Sequence, residues 1–262
     1  MLQKWLSNTF NLKRPSAWQD DKNLFFILGM GRSGTNFLAD MLNRCPGSLV
    51  YHEPFIEDFE ACVEAHSSED RALKYLQTFR LDKMREMIRA HDVRHYGEVN
   101  SALRFHAKAL KAALPKATLL HIVRDGRDVV RSVMERKHYT AGASSHHDLR
   151  PLPSDPLYER WADLSRFEKV CWLWVDANQR LAEDVPHWVG FEQLVSNYDY
   201  FRQNLLEQIG VEMDEALWNQ AVKAPVNVTK QFTYPHWRDW DAAQRAAFDS
   251  ICGEQMVKYG YY

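Results

Sequence analysis

Residues 24–44 constrain the fold more than any other stretch. An apolar run, Leu24 to Leu28, enters Gly29-Met30-Gly31-Arg32-Ser33-Gly34-Thr35-Asn36, and an amphipathic segment, Phe37 to Arg44, follows at once. A strand that ends in glycines and reopens as a helix points several backbone N–H groups at one spot. The helix dipole favours negative charge at that same spot. The segment therefore predicts an α/β fold with an anion cradle at a strand's carboxyl end, suited to phosphate or sulfate.

The spacing Gly29-x4-Gly34 is that of a nucleotide P-loop, but Thr35-Asn36 stands where such loops continue Lys-Ser/Thr. The missing lysine normally reaches the β- and γ-phosphates, and the missing hydroxyl normally binds magnesium. Arg32 supplies a positive charge from within the loop, with a fork that matches tetrahedral oxyanions. The expected ligand carries phosphate without being a magnesium triphosphate.

A second segment runs from Thr118 to Lys137. Thr118 to Val123 reads as a short buried strand, with Arg124 at its carboxyl end. Val129, Val130, Val133 and Met134 then recur at helical spacing, which predicts a helix over 126–137 with Ser132 and Arg136 sharing a face four residues apart. Ligands of open α/β sheets sit outside the strands' carboxyl ends, so both cradles face one crevice. Two anion sites without a triphosphate signature suggest a nucleotide phosphorylated at two positions.

Gly-x-x-Arg-Ser-Gly-Thr, followed by Val-Arg-Asp-Gly-Arg and a serine eight positions after the first arginine, resembles the sulfotransferases that use 3′-phosphoadenosine 5′-phosphosulfate (PAPS). The likeness is greatest to the tyrosylprotein and carbohydrate branch. It implies that Arg32, Ser33, Gly34, Thr35 and Asn36 hold the 5′-phosphosulfate, that Arg124 and Ser132 hold the 3′-phosphate, and that Arg136 adds a further arginine there. Phe191-Glu192-Gln193-Leu194-Val195 resembles a Tyr-Glu-Gln-Leu-Val segment of the tyrosylprotein enzymes, with Phe191 replacing the tyrosine. Pro225-Val226-Asn227-Val228 is similar to a C-terminal loop that closes over the nucleotide. The lysine that follows it in the family is matched by Lys230, His236 or Arg238. The resemblance is strong over 24–54 and 115–137, weaker over 186–262, and not legible between 55 and 98.

Sulfuryl transfer to an alcohol is mostly positioning and charge stabilisation, with a base to accept the hydroxyl proton. Leu49-Val50-Tyr51 reads as a strand that ends at His52-Glu53-Pro54. The resemblance makes Glu53 the general base and gives Arg32 the charge on the transferring group. His52 and His106 are the fallback bases, although His106 also reads as a helix-surface histidine. Glu53 has the competing role of a cap, and Asn100-Ser101 reads equally as an N-cap or as active-site polarity. Arg127 and Asp128 read as local ion pairs or a helix cap. Two other readings remain: a P-loop kinase-like phosphotransferase, and a nucleotide-binding module without catalysis.

The 262 residues, 45% hydrophobic with nine tryptophans, suffice for a single domain over 22–262 after an N-terminal extension, 1–21. That extension lacks an apolar signal core, and no stretch reaches transmembrane length. The net charge of −2 gives no overall pull towards nucleic acid. Four scattered cysteines indicate neither zinc nor disulfides, so the chain reads as a cytoplasmic enzyme with no metal. His146-His147 does not change this, because adjacent histidines point apart. Strands near 24–28, 48–51, 118–123 and 187–191 alternate with helices near 35–44, 69–91, 101–113, 126–137, 157–183, 193–209 and 241–259. That pattern predicts a three-layer α/β/α fold with a mainly parallel sheet. The irregular 137–156 reads as a lid or substrate loop. The acceptor is some hydroxyl compound: sugar, tyrosyl peptide, lipid or small alcohol.

Overall fold

The structure, a computed structural model, describes residues 22–140, 148–224 and 233–262. Five parallel strands form one sheet: β1 (Asn23–Gly29), β2 (Ser48–His52), β3 (His95–Asn100), β4 (Thr118–Val123) and β5 (Trp188–Gly190). Their order is β2-β3-β1-β4-β5. The apolar run of β1 lies at the centre because both its faces are covered. Phe25 and Ile27 pack on one side with Leu38, Met41 and Leu42 of helix α1 (Thr35–Leu42). Leu24, Phe26 and Leu28 pack on the other with Leu76, Ile88 and Leu110. The expected three layers follow from that alternation.

Helices α2 (Glu57–Ser67), α3 (Glu69–Tyr75), α4 (Leu81–His91) and α5 (Ala107–Ala113) lie on either side of β3 in the chain. Helix α6 (Gly126–Met134) leaves β4. Then come α7 (Arg166–Asp184), α8 (Phe191–Ser196), α9 (Glu215–Val222) and α10 (Ala242–Lys258).

The structure corrects several expectations. The sheet has a fifth strand, β3, which periodicity does not predict, and it is β1's direct neighbour. His95-Tyr-Gly-Glu-Val-Asn100 does not read as a core strand, yet all six residues are buried. Its charge is neutralised internally: Arg80, 2% exposed, pairs with Glu98 and, at 2.8 Å, with Asp58. Tyr96 donates to Glu98 at 2.6 Å, and Asn100 donates to Glu98 and Asp58. A π turn at Leu76–Arg80 interrupts the expected 69–91 helix and carries Arg80 into this cluster. Helices α2 and α9 are further additions to the pattern read from sequence.

The expected 101–113 helix is a 3-10 turn, Arg104–His106, leading into α5. His106 is fully buried rather than on a helix surface, and it contacts Tyr75 at 5.6 Å between ring centroids. Helix α6 stops at Met134, short of 137, because Arg166 draws off the following carbonyls of Met134 (3.1 Å), Arg136 and His138 (2.7 Å). Ser132 and Arg136 therefore do not share a helix face. Helix α7 begins at Arg166 rather than 157, where Ser165 and Glu168 form a capping box. Its aromatic residues are core: Phe167, Trp172 and Trp174 are buried, and Trp161, before the helix, packs on Trp172. Residues 225–228, Lys230, His146 and His147 lie outside the described residues.

Candidate active site

All five strands run the same way, so the turns after them gather at one edge, around a cavity of about 700 Å³, of the order typical for small-molecule sites. Gly31, Arg32, Gly34, Thr35 and Asn36 line it from the β1 turn, His52 and Glu53 from β2, Ser101 and Arg104 from β3, Arg124 and Ser132 from β4 and α6, and Phe191 from β5. Most of the residues expected for binding and catalysis thus meet on one wall system.

In the first cradle Arg32 and Gly34 both adopt positive φ, +74° and +86°. Gly34 has no alternative, because a Cβ there would lie 2.2 Å from the Phe191 ring. Ser33 points away from the cavity, and its Oγ is buried with no hydrogen-bond partner among the described residues. Arg32 Nε donates to Ser132 Oγ at 2.8 Å, and Arg124 donates to the Arg32 carbonyl at 3.2 Å. The first cradle and the β4–α6 cradle are therefore in direct contact. Burial, then the charges of Arg136 and Arg124, lower the Arg32 pKa. Three arginines crowd one point, which is a field for a multiply charged anion.

Arg124 lies 5.1 Å above the Phe191 ring, with Asp128 at 3.6 Å and Glu192 at 4.0 Å. Its Nε makes no hydrogen bond among the described residues. Glu192 is the hub beneath: it accepts from the Asp125 amide at 3.1 Å and from Tyr261 at 2.7 Å. Arg136 stands beyond the end of α6 and does not line the cavity; its charge reaches Arg32. Arg127 and Asp128 form local ion pairs, as expected, Arg127 with Asp125 at 2.6 Å and Asp128 with Arg124; the cap of α6 is Asp125, and Asp128 also lines the cavity. Of the C-terminal candidates, His236 lines the cavity, whereas Arg238 stacks on Trp237 at 4.4 Å. Trp240 is core.

Glu53 occupies the opposite wall, its backbone at φ +47° and its side chain 16% exposed. A carboxylate residue held in the left-handed region at a crevice is a mark of a functional site. Its Oε1 accepts from Ser101 Oγ and, at 3.3 Å, from the Ser101 amide. His52 Nε2 is 3.7 Å from Glu53 and 2.9 Å from Thr35 Oγ1. Burial lowers the His52 pKa, with Glu53 opposing, so His52 is neutral near pH 7. His106, the other fallback base, is walled off from the cavity, and burial then the charges of Arg80 and Arg104 push its pKa down to about 3. Arg104 and Cys62 also line the cavity and do not stand out in the sequence. Arg104 has one legible signal, its position three residues after Ser101.

The four cysteines are free and buried. Among the described residues no His/Cys/Asp/Glu group is arranged to hold a metal, and no helix is long and apolar enough to cross a membrane.

The fold is a parallel α/β sheet with a charged crevice at the carboxyl ends of its strands. A sequence model described as "Sulfotransferase family" matches residues 25–215, so the chain belongs to the sulfotransferase family. Among solved structures, the chain is similar to a sulfotransferase from Alicyclobacillus acidocaldarius, at 14% identity and TM-score 0.49, over 90% of this chain and 94% of that one. It is also similar to a sulfotransferase domain from the curacin biosynthetic pathway, at 13% identity and TM-score 0.48, over 89% and 97%. A mouse sulfotransferase complexed with PAP aligns at 12% identity and TM-score 0.46, over 90% and 85%. No match is found among curated protein sequences.

Proposed function

We propose that this sulfotransferase moves the sulfuryl group of PAPS to an acceptor hydroxyl, in the manner of the tyrosylprotein and carbohydrate branch, with Glu53 as general base. The observation that carries this reading is the Arg32–Ser132 hydrogen bond. It joins the loop suited to a 5′-phosphosulfate to the pair suited to a 3′-phosphate, and Glu53 faces both across one cavity.

The residues suit that donor. The loop's backbone amides and Arg32 donate to an anion, Arg124 lines the same cavity, and the absent Lys-Ser/Thr disfavours a magnesium triphosphate. When bound, PAPS supplies a sulfuryl group on a phosphate leaving group. Glu53 takes the acceptor's proton as the acceptor oxygen bonds to sulfur; the sulfur–oxygen bond to the nucleotide breaks, and its electron pair leaves on the phosphate of adenosine 3′,5′-bisphosphate (PAP). Arg32 neutralises charge on the sulfuryl and bridging oxygens. Ser101 fixes the Glu53 carboxylate, and neutral His52 steadies Thr35 at the loop.

Calorimetric titration with PAP, with and without magnesium and against AMP and ATP, tests the reading. Metal-independent micromolar binding that weakens at least tenfold without the 3′-phosphate is expected. Glu53→Gln should bind PAP like the wild type while losing on the order of a hundredfold or more in transfer rate. Preference for magnesium ATP would return the chain to the kinase class, and PAP binding without transfer to any acceptor would favour the binding module.

A further inference from the structure

Sheet order divides the cavity. The turns after β1, β4 and β5 carry Arg32, Arg124 and Phe191, while those after β2 and β3 carry Glu53, Ser101 and Arg104. With the donor nucleotide over the first set, the second set faces the acceptor; this division rests on the proposed PAPS-dependent function.

In that second half Arg104 differs from Arg124 and Arg32 of the first. Arg124 has Asp128 and Glu192 for counter-charge, and Arg32 is tied to Ser132. Arg104 is half-buried, yet among the described residues it has no carboxylate within ion-pair distance. Its partners are the Ser101 carbonyl at 2.6 Å and the face of Phe105 at 4.7 Å. Its Nε is buried and unpartnered among the described residues. A guanidinium gripped by one N–H and a ring face keeps its remaining donors in a fixed plane, which suits it to an oxyanion. Glu53 and Arg104 are moored on the same residue: Ser101 offers its hydroxyl and amide to the one and its carbonyl to the other. The same cavity also has apolar lining, including Phe59, Val63, Leu149 and Leu173.

We infer that the acceptor is an amphipathic hydroxyl compound whose carboxylate or phosphate-type anion docks on Arg104, while its hydroxyl meets Glu53 and its apolar body lies against Phe59 and Val63. Arg104 is then the residue that selects anionic acceptors over neutral and cationic ones.

The test compares ω-hydroxycarboxylates and ω-hydroxyalkylphosphonates of graded chain length with the matched amides and ω-amino alcohols, each with PAPS, on wild type, Arg104→Gln and Arg104→Glu. PAP affinity is measured on all three proteins. Wild type should use its best anionic probe about ten- to a hundredfold more efficiently than the matched amide, the worth of a charge-assisted hydrogen bond. Comparing the carboxylate and phosphonate arms shows which anion is preferred. Arg104→Gln should erase that preference through KM, and Arg104→Glu should turn it towards the amino alcohols.

If Arg104 only braces Ser101, Arg104→Gln will lower kcat for every probe alike, and the inference falls. It also falls if wild type binds PAP but prefers neutral or cationic probes or turns over no anionic one. Failure of wild type to bind PAP would instead sink the function on which the inference rests.

Discussion

At the scale of the residue, the site depends on backbone conformations that side chains ordinarily avoid. Arg32 and Glu53 are two of four non-glycine residues at positive φ among those described, and they carry the two roles of the proposed chemistry. Gly34 is the third constrained point, held by its φ of +86° and by the Phe191 ring above it. Phe191 in turn supports the Arg124 guanidinium and meets Phe37 edge-on at 6.1 Å. A methyl group at Gly34 would act twice, straining the loop and pushing Phe191 from under Arg124. Gly34→Ala should cost about 1–2 kcal/mol of stability from φ alone and weaken PAP binding by more than tenfold. Adding Phe191→Leu should restore part of the binding and none of the φ cost. Denaturation midpoints and calorimetry on both variants separate the effects, and equal PAP affinity in wild type and Gly34→Ala would refute the coupling.

At the scale of the element, β3 shows how a polar hexapeptide becomes a buried interior strand. Glu98 and Asp58 are fully buried carboxylates, and Arg80 bridges them with Tyr75, Tyr96 and Asn100 supplying further donors. Burial raises the Asp58 pKa and Arg80 opposes it, so the guanidinium keeps the pair tolerable. Arg80→Met leaves two carboxylates buried without their cation and should cost about 3–5 kcal/mol, read as a lowered urea midpoint with an unchanged m value. A loss below about 1 kcal/mol would mean that the cluster is not what holds β3. Because Asn100 Oδ1 also accepts the amides of Ala102 and Leu103, the cluster shapes the turn that aims Ser101 at Glu53. None of this is readable from period: Arg80 reaches β3 from a π turn, through contacts 18 to 22 residues apart in sequence. The strand of Leu24 to Leu28 is legible because its burial is written in apolar side chains. That of His95 to Asn100 is not, because its burial is written in partners.

At the scale of the whole molecule, charge is sorted by position: arginines gather at the carboxyl edge of the sheet, and His106 and His121, deep in the layers, are held neutral by burial. The first half of that arrangement is legible in the sequence, since a parallel sheet brings every strand-end motif to one edge and Arg32, Glu53 and Arg124 need only their order in the chain. Arg104 is hidden because its lack of a counter-ion is a property of the assembled wall. His106 and His121 are hidden too, and both weaken the fold as pH falls. Burial pushes His106 down to about 3 and His121 down to about 4, although Asn178 partly offsets the latter through a 3.0 Å hydrogen bond. Both folded values lie below the unfolded value of about 6.5, so as pH falls the unfolded chain binds protons first. Their contribution to stability is therefore complete above about pH 6.5 and declines on acidification until the folded values are reached. His106, with neither ring nitrogen hydrogen-bonded among the described residues, loses nothing polar when replaced by a ring of similar size. Between pH 7 and 4.5 His106→Phe should remove about 2–3 kcal/mol of that decline while leaving PAP affinity at pH 7.5 unchanged. Urea unfolding across this range decides it: parallel curves for variant and wild type would mean that His106 is not neutral in the folded protein, or that its protonation is relieved by a route other than unfolding.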